Sequence, residues 1–250
     1  MLDPRVKFLA QKLLPRRVAA WLDPVEEIIE KEVEFAASQT ASHHVVLDAG
    51  AGEARHRSYF RRGRYVALDA GYGDAAWDYS RLDVRGCLEQ LPLRDSSVDR
   101  ILCLVVLEHT REPRIVLREF TRVMKGGAAL HLVLPFLWEE HQQPHDYHRF
   151  TRWGVRLLFE GLPLEVEEMA PLGGFFWLLA RRCVSLLTFF QGGFRWVGFA
   201  LLAPFFGLVF PVVLHFMDGL DADRSFSLGF RVRARKPAAG QEDRDPSAGA

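Results

Sequence analysis

Four short apolar runs, separated by stretches of helical periodicity, limit what this chain can fold into more than any other feature. "HVVLDAG" (His44 to Gly50) is β-branched and ends in an Asp-Ala-Gly turn, and "RYVALDAG" (Arg64 to Gly71) repeats that design. "DRILCLVVL" (Asp99 to Leu107) and "AALHLVLPF" (Ala128 to Phe136) are continuously apolar, as strands buried on both faces must be. Between these two, Ile115, Val116, Leu117, Phe120, Val123 and Met124 recur at helical spacing, and Gly126-Gly127 is expected to stop that helix. Strands alternating with helices require right-handed crossovers, so an α/β fold is expected: an open, mostly parallel sheet with helices on both faces. Ligands of such sheets bind beyond the carboxyl ends of the strands, and the residues just after each run are the ones that carry function.

The first of these turns, "LDAGAG", supplies Asp48, Gly50 and Gly52. The glycines allow a tight turn and close approach of the backbone to a ligand. A dinucleotide loop would want Gly or Ala three residues after the second glycine, where this chain has Arg55. Asp48, immediately before the loop, would also repel a pyrophosphate, so a nicotinamide-dependent oxidoreductase is disfavoured. The position suits a ligand with a positive centre and no phosphate. Asp69 ends the second run, where a carboxylate can accept hydrogen bonds from both hydroxyls of a ribose.

Further motifs follow in order: "LPLRDSSVD" (Leu91 to Asp99), "LEH" (Leu107 to His109) and "RVMKGG" (Arg122 to Gly127). With the glycine loop and Asp69, they resemble the class I S-adenosylmethionine-dependent methyltransferases of the type 11 family, over residues 25–170. S-adenosyl-L-methionine, with its ammonium and sulfonium, meets the requirement set by Asp48. The resemblance implies a Rossmann-like seven-stranded sheet with helices on both faces. "LPLEVEEMAP" (Leu162 to Pro171) would be its sixth strand and "FSLGFRVRARK" (Phe226 to Lys236) an antiparallel seventh. It implies that Asp48, Gly50 and Gly52 surround the methionine part and that Asp69 holds the ribose. Where the family often has an acidic residue near the adenine amine, this chain has Cys87 followed by Leu88, so adenine contacts are expected from backbone at Leu88 or from Asp83. Lys125-Gly126-Gly127 also lacks the family's proline.

After the fourth run comes "WEEHQQPHDYHRFT" (Trp138 to Thr151), similar to a segment found in a branch of these enzymes linked to polysaccharide or lipid-linked sugar metabolism. Following the strand at its carboxyl end, it would overhang the methyl group. His141, His145 and Tyr147 are the candidate catalytic residues, because an oxygen acceptor must lose a proton and His titrates near neutral pH. The structural alternative is a salt-bridged turn of Asp146, Arg149 and Thr151, with Thr151 as N-cap of the helix in "TRWGVRLLFEGL" and Tyr147 and Phe150 as packing residues. Glu108 and His109 stand beside the cofactor cleft by position. No metal site is expected.

The region from about residue 173 to 217 is an insertion between the sixth and seventh strands. "WVGFALLAPFFGLVFPVVLHFM" (Trp196 to Met217) has 22 residues and no formal charge. As a helix it would reach about 33 Å, against a hydrocarbon core of about 30 Å. Its partner, "FFWLLARRCVSLLTFF", carries Arg181 and Arg182 in its middle, each costing about 2.5–3.5 kcal/mol if inserted. Because both ends join one sheet, an odd number of spans is excluded. The expectation is an apolar helical hairpin, monotopic or re-entrant at a membrane surface, with a lid or homodimer interface as the soluble alternative; Pro204 and Pro211 are expected to kink its second half.

The domain plan is an N-terminal helical segment over 1–40, a methyltransferase domain over 41–236 with that insertion, and a disordered tail over 237–250. Val6, Leu9, Leu13, Leu14, Val18 and Trp21 alternate with basic residues in the first segment, which reads as a surface-binding or a packing helix. Asp3-Pro4 and Asp23-Pro24 both read as helix starts, and no signal peptide is expected. Lys plus Arg and Asp plus Glu each total 32, so no nucleic-acid footprint is present in the mean. Three cysteines without metal-ligand spacing indicate a reducing compartment. The expected protein is cytoplasmic, peripheral or monotopic at the inner face of a membrane. It would O-methylate an amphiphilic or sugar-containing small molecule (a lipid, lipid-linked sugar or quinone). A non-catalytic adaptor with the same fold is the rival reading.

Overall fold

The computed structural model describes residues 15–74 and 76–238. The Asp3-Pro4 start, the apolar positions up to Leu14 and the tail from residue 239 lie outside them. Two compact units divide the described residues, one of 15–30 with 171–228, the other of 31–170 with 229–238.

The second unit holds a seven-stranded sheet. Its strands are β1 (Val45–Ala49), β2 (Arg64–Asp69), β3 (Val84–Arg85), β4 (Val98–Leu104), β5 (Met124–Pro135), β6 (Glu165–Pro171) and β7 (Gly229–Arg235), in the order β3-β2-β1-β4-β5-β7-β6. The order reverses between β1 and β4, so the carboxyl ends of those two strands flank the crevice where ligands of such sheets bind. Strands β1 to β5 pair in parallel; β7 is antiparallel to β5, with Gly229 beside Pro135. The chain therefore re-enters the sheet at the carboxyl end of β5.

Leu47, Ile101, Cys103, Leu130 and Leu132 are fully buried, as the unbroken apolar runs require. Helix α3 (Pro113–Val123) adds Val116, Leu117 and Phe120 to that core, with Pro113 at its start. The helix ends before the glycine pair, however: Met124 already pairs with Val98, and Gly126 and Gly127 lie inside β5. The run after Asp99 also stops short of Leu107. Val105 turns left-handed at φ 59°, and Leu107–His109 form a single 3-10 turn.

A charged network closes one side of the sheet. Glu32 lies on α2 (Pro24–Ser38), which Asp23 caps through the amide of Glu26 at 3.4 Å. The Glu32 carboxylate is 1 % exposed and accepts hydrogen bonds from His131 (2.5 Å), Arg231 (2.8 Å) and Arg233 (2.7 Å). Arg100 donates to the other ring nitrogen of His131 at 2.5 Å, which fixes the proton on Nδ1. Burial, with Arg100 beside it, lowers the His131 pKa. Burial alone would raise the pKa of Glu32, but its hydrogen bonds from His131, Arg233 and Arg231 prevail and hold it well below the usual carboxylate range.

The first unit contains α1 (Arg16–Leu22) and the insertion. Helix α5 (Phe175–Leu186) turns at Gln191-Gly192-Gly193 into a continuous helical stretch, Arg195–Leu220, made of α6 (Arg195–Pro204), a π-helical turn (Phe205–Val209) and α7 (Phe210–Met217). The two prolines do not break it, because the widened π turn absorbs the missing donor of Pro211. Asp218 and Asp221 fold back to accept the amides of Gly174 and Phe175, capping α5. Trp177 stacks on His215 at 5.3 Å.

A depressed carboxylate pKa in the folded state stabilises the fold above the unfolded value of about 4.3, and the contribution is lost as pH falls below it. Glu32→Gln is expected to lower stability at pH 7 by about 3–5 kcal/mol, since it strips a buried charge from two guanidinium groups and the imidazole of His131. In urea titrations at successive pH values, the variant should lose less stability on acidification than the parent; equal losses would contradict this account.

Candidate active site

The glycine loop follows β1. Gly50 and Gly52 adopt φ of 84° and 51°, conformations in which a side chain is strained. A Cβ at Gly50 would overlap both γ-carbons of Val106, and one at Gly52 would come within 3.1 Å of the Trp77 ring. Gly71, at φ 78°, and Gly73 repeat the pattern after β2. At each of these positions a neighbouring side chain (Val106, Trp77, Arg85 or Tyr79) takes the space of a Cβ, so the loop backbone packs closely against them and its shape forms the cradle at this edge.

Asp69 joins the two loops. Its carboxylate accepts from the amide of Gly52 at 2.9 Å and from that of Gly71 at 2.7 Å, while Gly50 and Ala51 both donate to Leu68 O. Two accepted bonds leave capacity on the carboxylate for ribose hydroxyls. Burial and the charge of Asp69 raise the pKa of Tyr79, outweighing a backbone hydrogen bond from Gly73. Asp48 faces inward instead. It is 2 % exposed, accepts a hydrogen bond from the Tyr65 hydroxyl and lies 3.3 Å from His56 Nδ1. Burial and the Asp48 charge push the Tyr65 pKa strongly up, so that hydroxyl keeps its proton.

The two adenine candidates part company. Leu88 is buried in the sheet core beside exposed Cys87. Asp83 accepts from Ala67 N at 2.8 Å and from Arg57 at 2.7 Å, so its carboxylate braces β2. It lies level with Ala67, two residues short of Asp69, and the structure does not bring it to the strand ends.

Beyond β4, Glu108 is fully buried. Its carbonyl accepts the amides of Tyr147 (2.9 Å) and His148 (3.3 Å), which pins the 138–150 loop against the 3-10 turn. Asp146 and Arg149 form a bidentate pair at 2.6 and 2.7 Å, and Thr151 caps α4 (Arg152–Phe159) through Gly154 N at 3.0 Å. Burial opposes ionisation of Asp146, but Arg149 and the amide of His141 hold its pKa at about 2.

The three candidate catalytic residues fall into two places. His141 turns inward, its Nε2 at 3.4 Å from Glu108 and its Nδ1 at 3.5 Å from Asp146. Burial lowers its pKa, yet Glu108 and Asp146 outweigh that and raise it overall. His145 and Tyr147 bond to each other at 2.9 Å nearer the surface, and the His145 ring lies 5.9 Å from that of Tyr72, three residues beyond Asp69. Sequence reading missed Tyr65, His56, Trp77 and Tyr79. Tyr65 lies in the second apolar run and the others in no motif, and each matters only through what the fold sets beside it.

The fold has counterparts among known proteins. Residues 47–132 match the family model described as a methyltransferase domain. No curated protein matches the chain in sequence. Among solved structures, the [4+2]-cyclase SpnF superposes with a TM-score of 0.54 at 17 % identity, covering 83 % of this chain and 81 % of its own. A chain from the complex of the Haloferax volcanii Trm112 methyltransferase activator with its methyltransferase partner gives 0.51 at 18 %, covering 88 % and 97 %. A Bacillus halodurans protein assigned as a methyltransferase gives 0.50 at 16 %, covering 82 % and 97 %. At such identities these structures share the fold with this chain.

Gly50→Ala combines a left-handed backbone with an overlap on Val106. It is expected to cost roughly 1–3 kcal/mol of stability and to weaken cofactor binding at least tenfold. Gly127→Ala, also at positive φ but with open space around it, should leave cofactor affinity unchanged in isothermal titration. Equal affinities for both variants would contradict the cradle.

Proposed function

We propose that this chain, a class I S-adenosylmethionine-dependent methyltransferase of type 11, methylates an oxygen of an amphiphilic acceptor at a membrane surface. When bound, its cofactor S-adenosyl-L-methionine supplies an electrophilic methyl group on a sulfonium. The backbone of the Gly50–Gly52 loop, held against Val106 and Trp77, borders it beside β1, and Asp69 takes the ribose hydroxyls. The backbone at Leu88 is the adenine contact in this reading. Asp48 holds the loop by its bonds to Tyr65 and His56 and contributes negative potential behind the methionine part.

What remains for the protein is to hold the acceptor and take its hydroxyl proton. His145 is the base in this reading. Tyr147 orients it through Nδ1, and its contact with Tyr72 brings it near the Asp69 loop. His141 is engaged with Glu108 and Asp146 and acts on the position of the loop.

The observation that carries the membrane part is the exposed face of the insertion. Phe194 (89 % exposed), Val197, Leu201 (69 %), Phe205, Val213, Phe216 and Leu220 recur at helical spacing, and only 6 % of the most apolar stretch is buried. The helical stretch of 26 residues is about 39 Å long. Contiguous apolar surface on this scale marks an interaction site. From Phe175 to Met217 the charged residues are Arg181, Arg182 and Arg195, with no carboxylate among them. Contiguous apolar surface edged by the exposed Arg195 at the start of the helical stretch fits an anionic bilayer.

S-adenosylmethionine and its demethylated product should each raise the melting temperature of the parent, and Asp69→Ala should abolish most of the rise. His145→Ala should keep the rise and lose 10²–10⁴-fold in kcat. A variant with kcat intact removes His145 as base.

The parent should co-sediment with phosphatidylglycerol vesicles, less with phosphatidylcholine vesicles, and less still at high salt. Val197→Asp with Leu201→Asp should abolish sedimentation. A parent that stays in the supernatant with both lipids, or that sediments as a dimer without them, overturns the membrane reading.

A further inference from the structure

The cluster of buried Glu108 with half-buried His109 and His141 has been given no chemical part in methyl transfer so far. Their donor atoms lie within 4.8 Å of one another, with Glu108 Oε1 at 3.4 Å from His141 Nε2 and 3.8 Å from His109 Nε2. Both Glu108 oxygens and both Nε2 atoms are buried without a hydrogen-bond partner among the described residues. A wholly buried carboxylate left in that state is costly.

Proton positions sharpen the problem. His109 Nδ1 lies 2.6 Å from the carbonyl of His145, and a carbonyl only accepts, so Nδ1 carries the hydrogen. Neutral His109 then turns the lone pair of Nε2 toward the carboxylate, an unfavourable contact unless something positive lies between them. His141 is held alike, with Nδ1 at 3.3 Å from the carbonyl of Glu139. A protonated His141 would answer one Glu108 oxygen and leave the other, and His109, unanswered. Imidazoles whose Nδ1 donates to a backbone carbonyl while Nε2 points at a shared centre are oriented as metal ligands are.

We infer that Glu108, His109 and His141 hold a divalent transition-metal ion, with zinc the best match. Two imidazoles and a carboxylate form a mixed nitrogen and oxygen set, which zinc takes and which magnesium and calcium, preferring all-oxygen shells, do not. Donors around such an ion stand roughly 3–4 Å apart, so side-chain rotation alone closes the cluster. Three protein ligands leave a fourth position open. An oxygen bound there becomes more acidic, and the 3-10 turn carrying Glu108 and His109 follows β4 at the ligand-binding edge of the sheet. That role toward an acceptor oxygen rests on the methyl-transfer reading; the binding of the ion does not.

The test uses the full, untagged chain. Elemental analysis of purified protein should find about one equivalent of zinc. Chelation should lower the melting temperature, added Zn²⁺ should restore it, and Co²⁺ added to the stripped parent should give visible absorption bands. Glu108→Gln and His141→Ala should each lose the metal, whereas His43→Ala, at an exposed histidine, should keep it. Should the variants not fold, the cobalt spectrum of the parent still decides. A parent that holds no zinc, melts identically after chelation and gives no cobalt bands overturns the site. If S-adenosylmethionine still raises the melting temperature of that protein, the ion alone is rejected. An ion bound without any response to S-adenosylmethionine would reject the methyl-transfer reading and keep the site.

Discussion

Among the carboxylates buried in the sheet-bearing unit, Glu32 and Glu108 are treated oppositely. Glu32 is met by one imidazole and two guanidinium groups drawn from β5 and β7, with hydrogen bonds of 2.5–2.8 Å. Those bonds tie α2 to strands that follow it by 99 and about 200 residues in sequence, and they hold β7 in its place beside β5. Glu108 lies just as deep but is approached only at 3.4 and 3.8 Å. The first carboxylate is structural because its environment is complete. The second is poised because its environment is not. Desolvation is the same for both, so the difference lies in what the neighbours supply.

The position of β7 has a consequence for function. Pairing of Gly229 with Pro135 brings the chain back from the insertion at the carboxyl end of β5, on the edge of the sheet where Asp69, the glycine loop and the 3-10 turn gather. An insertion elsewhere in this topology, for example after α3, would join the sheet at its other edge. The strand order β5-β7-β6 thus sets the insertion between two neighbouring strands of the sheet. At the same edge, Val105 holds a left-handed conformation that a β-branched residue rarely adopts. This turn brings Val106 against Gly50 and sends Leu107 into the core, leaving Glu108 and His109 to face the 138–150 loop.

How much of this could be read from the sequence divides along the same line. The runs at Val45, Arg64, Asp99 and Ala128 are long and unbroken, and their period fixes strands without help from tertiary contacts. The ordered motifs placed Asp69 at a strand end, and Thr151 as an N-cap is a local signal of three residues. Gly126-Gly127 misled because a glycine pair ends helices in general, while here the antiparallel partner β7 draws those residues into β5. Asp83 misled because distance along the chain from Asp69 says nothing of register, and the parallel pairing of Leu68 with Val84 puts it two residues short. The histidines of the 138–151 segment looked alike as letters. Only the loop's attachment to the Glu108 carbonyl separates an inward His141 from an outward His145.

That separation bears on what a site of this kind can do. Had all three histidine and tyrosine candidates faced the same space, any of them could serve as base and an assignment would be arbitrary. Instead the loop divides the labour. His141 and His109 commit their Nδ1 atoms to carbonyls and converge on Glu108, while His145 lends its carbonyl to His109 and its ring to Tyr147. His145 therefore links the two halves through a single residue, backbone to the buried cluster and side chain to the outer pair. An ion in the cluster would tighten the His109 to His145 hydrogen bond, because a metal on Nε2 makes the Nδ1 proton a better donor. The outer pair would then be held more rigidly against the Asp69 loop, so that occupancy of the buried site and readiness of the acceptor site become one property of the same loop.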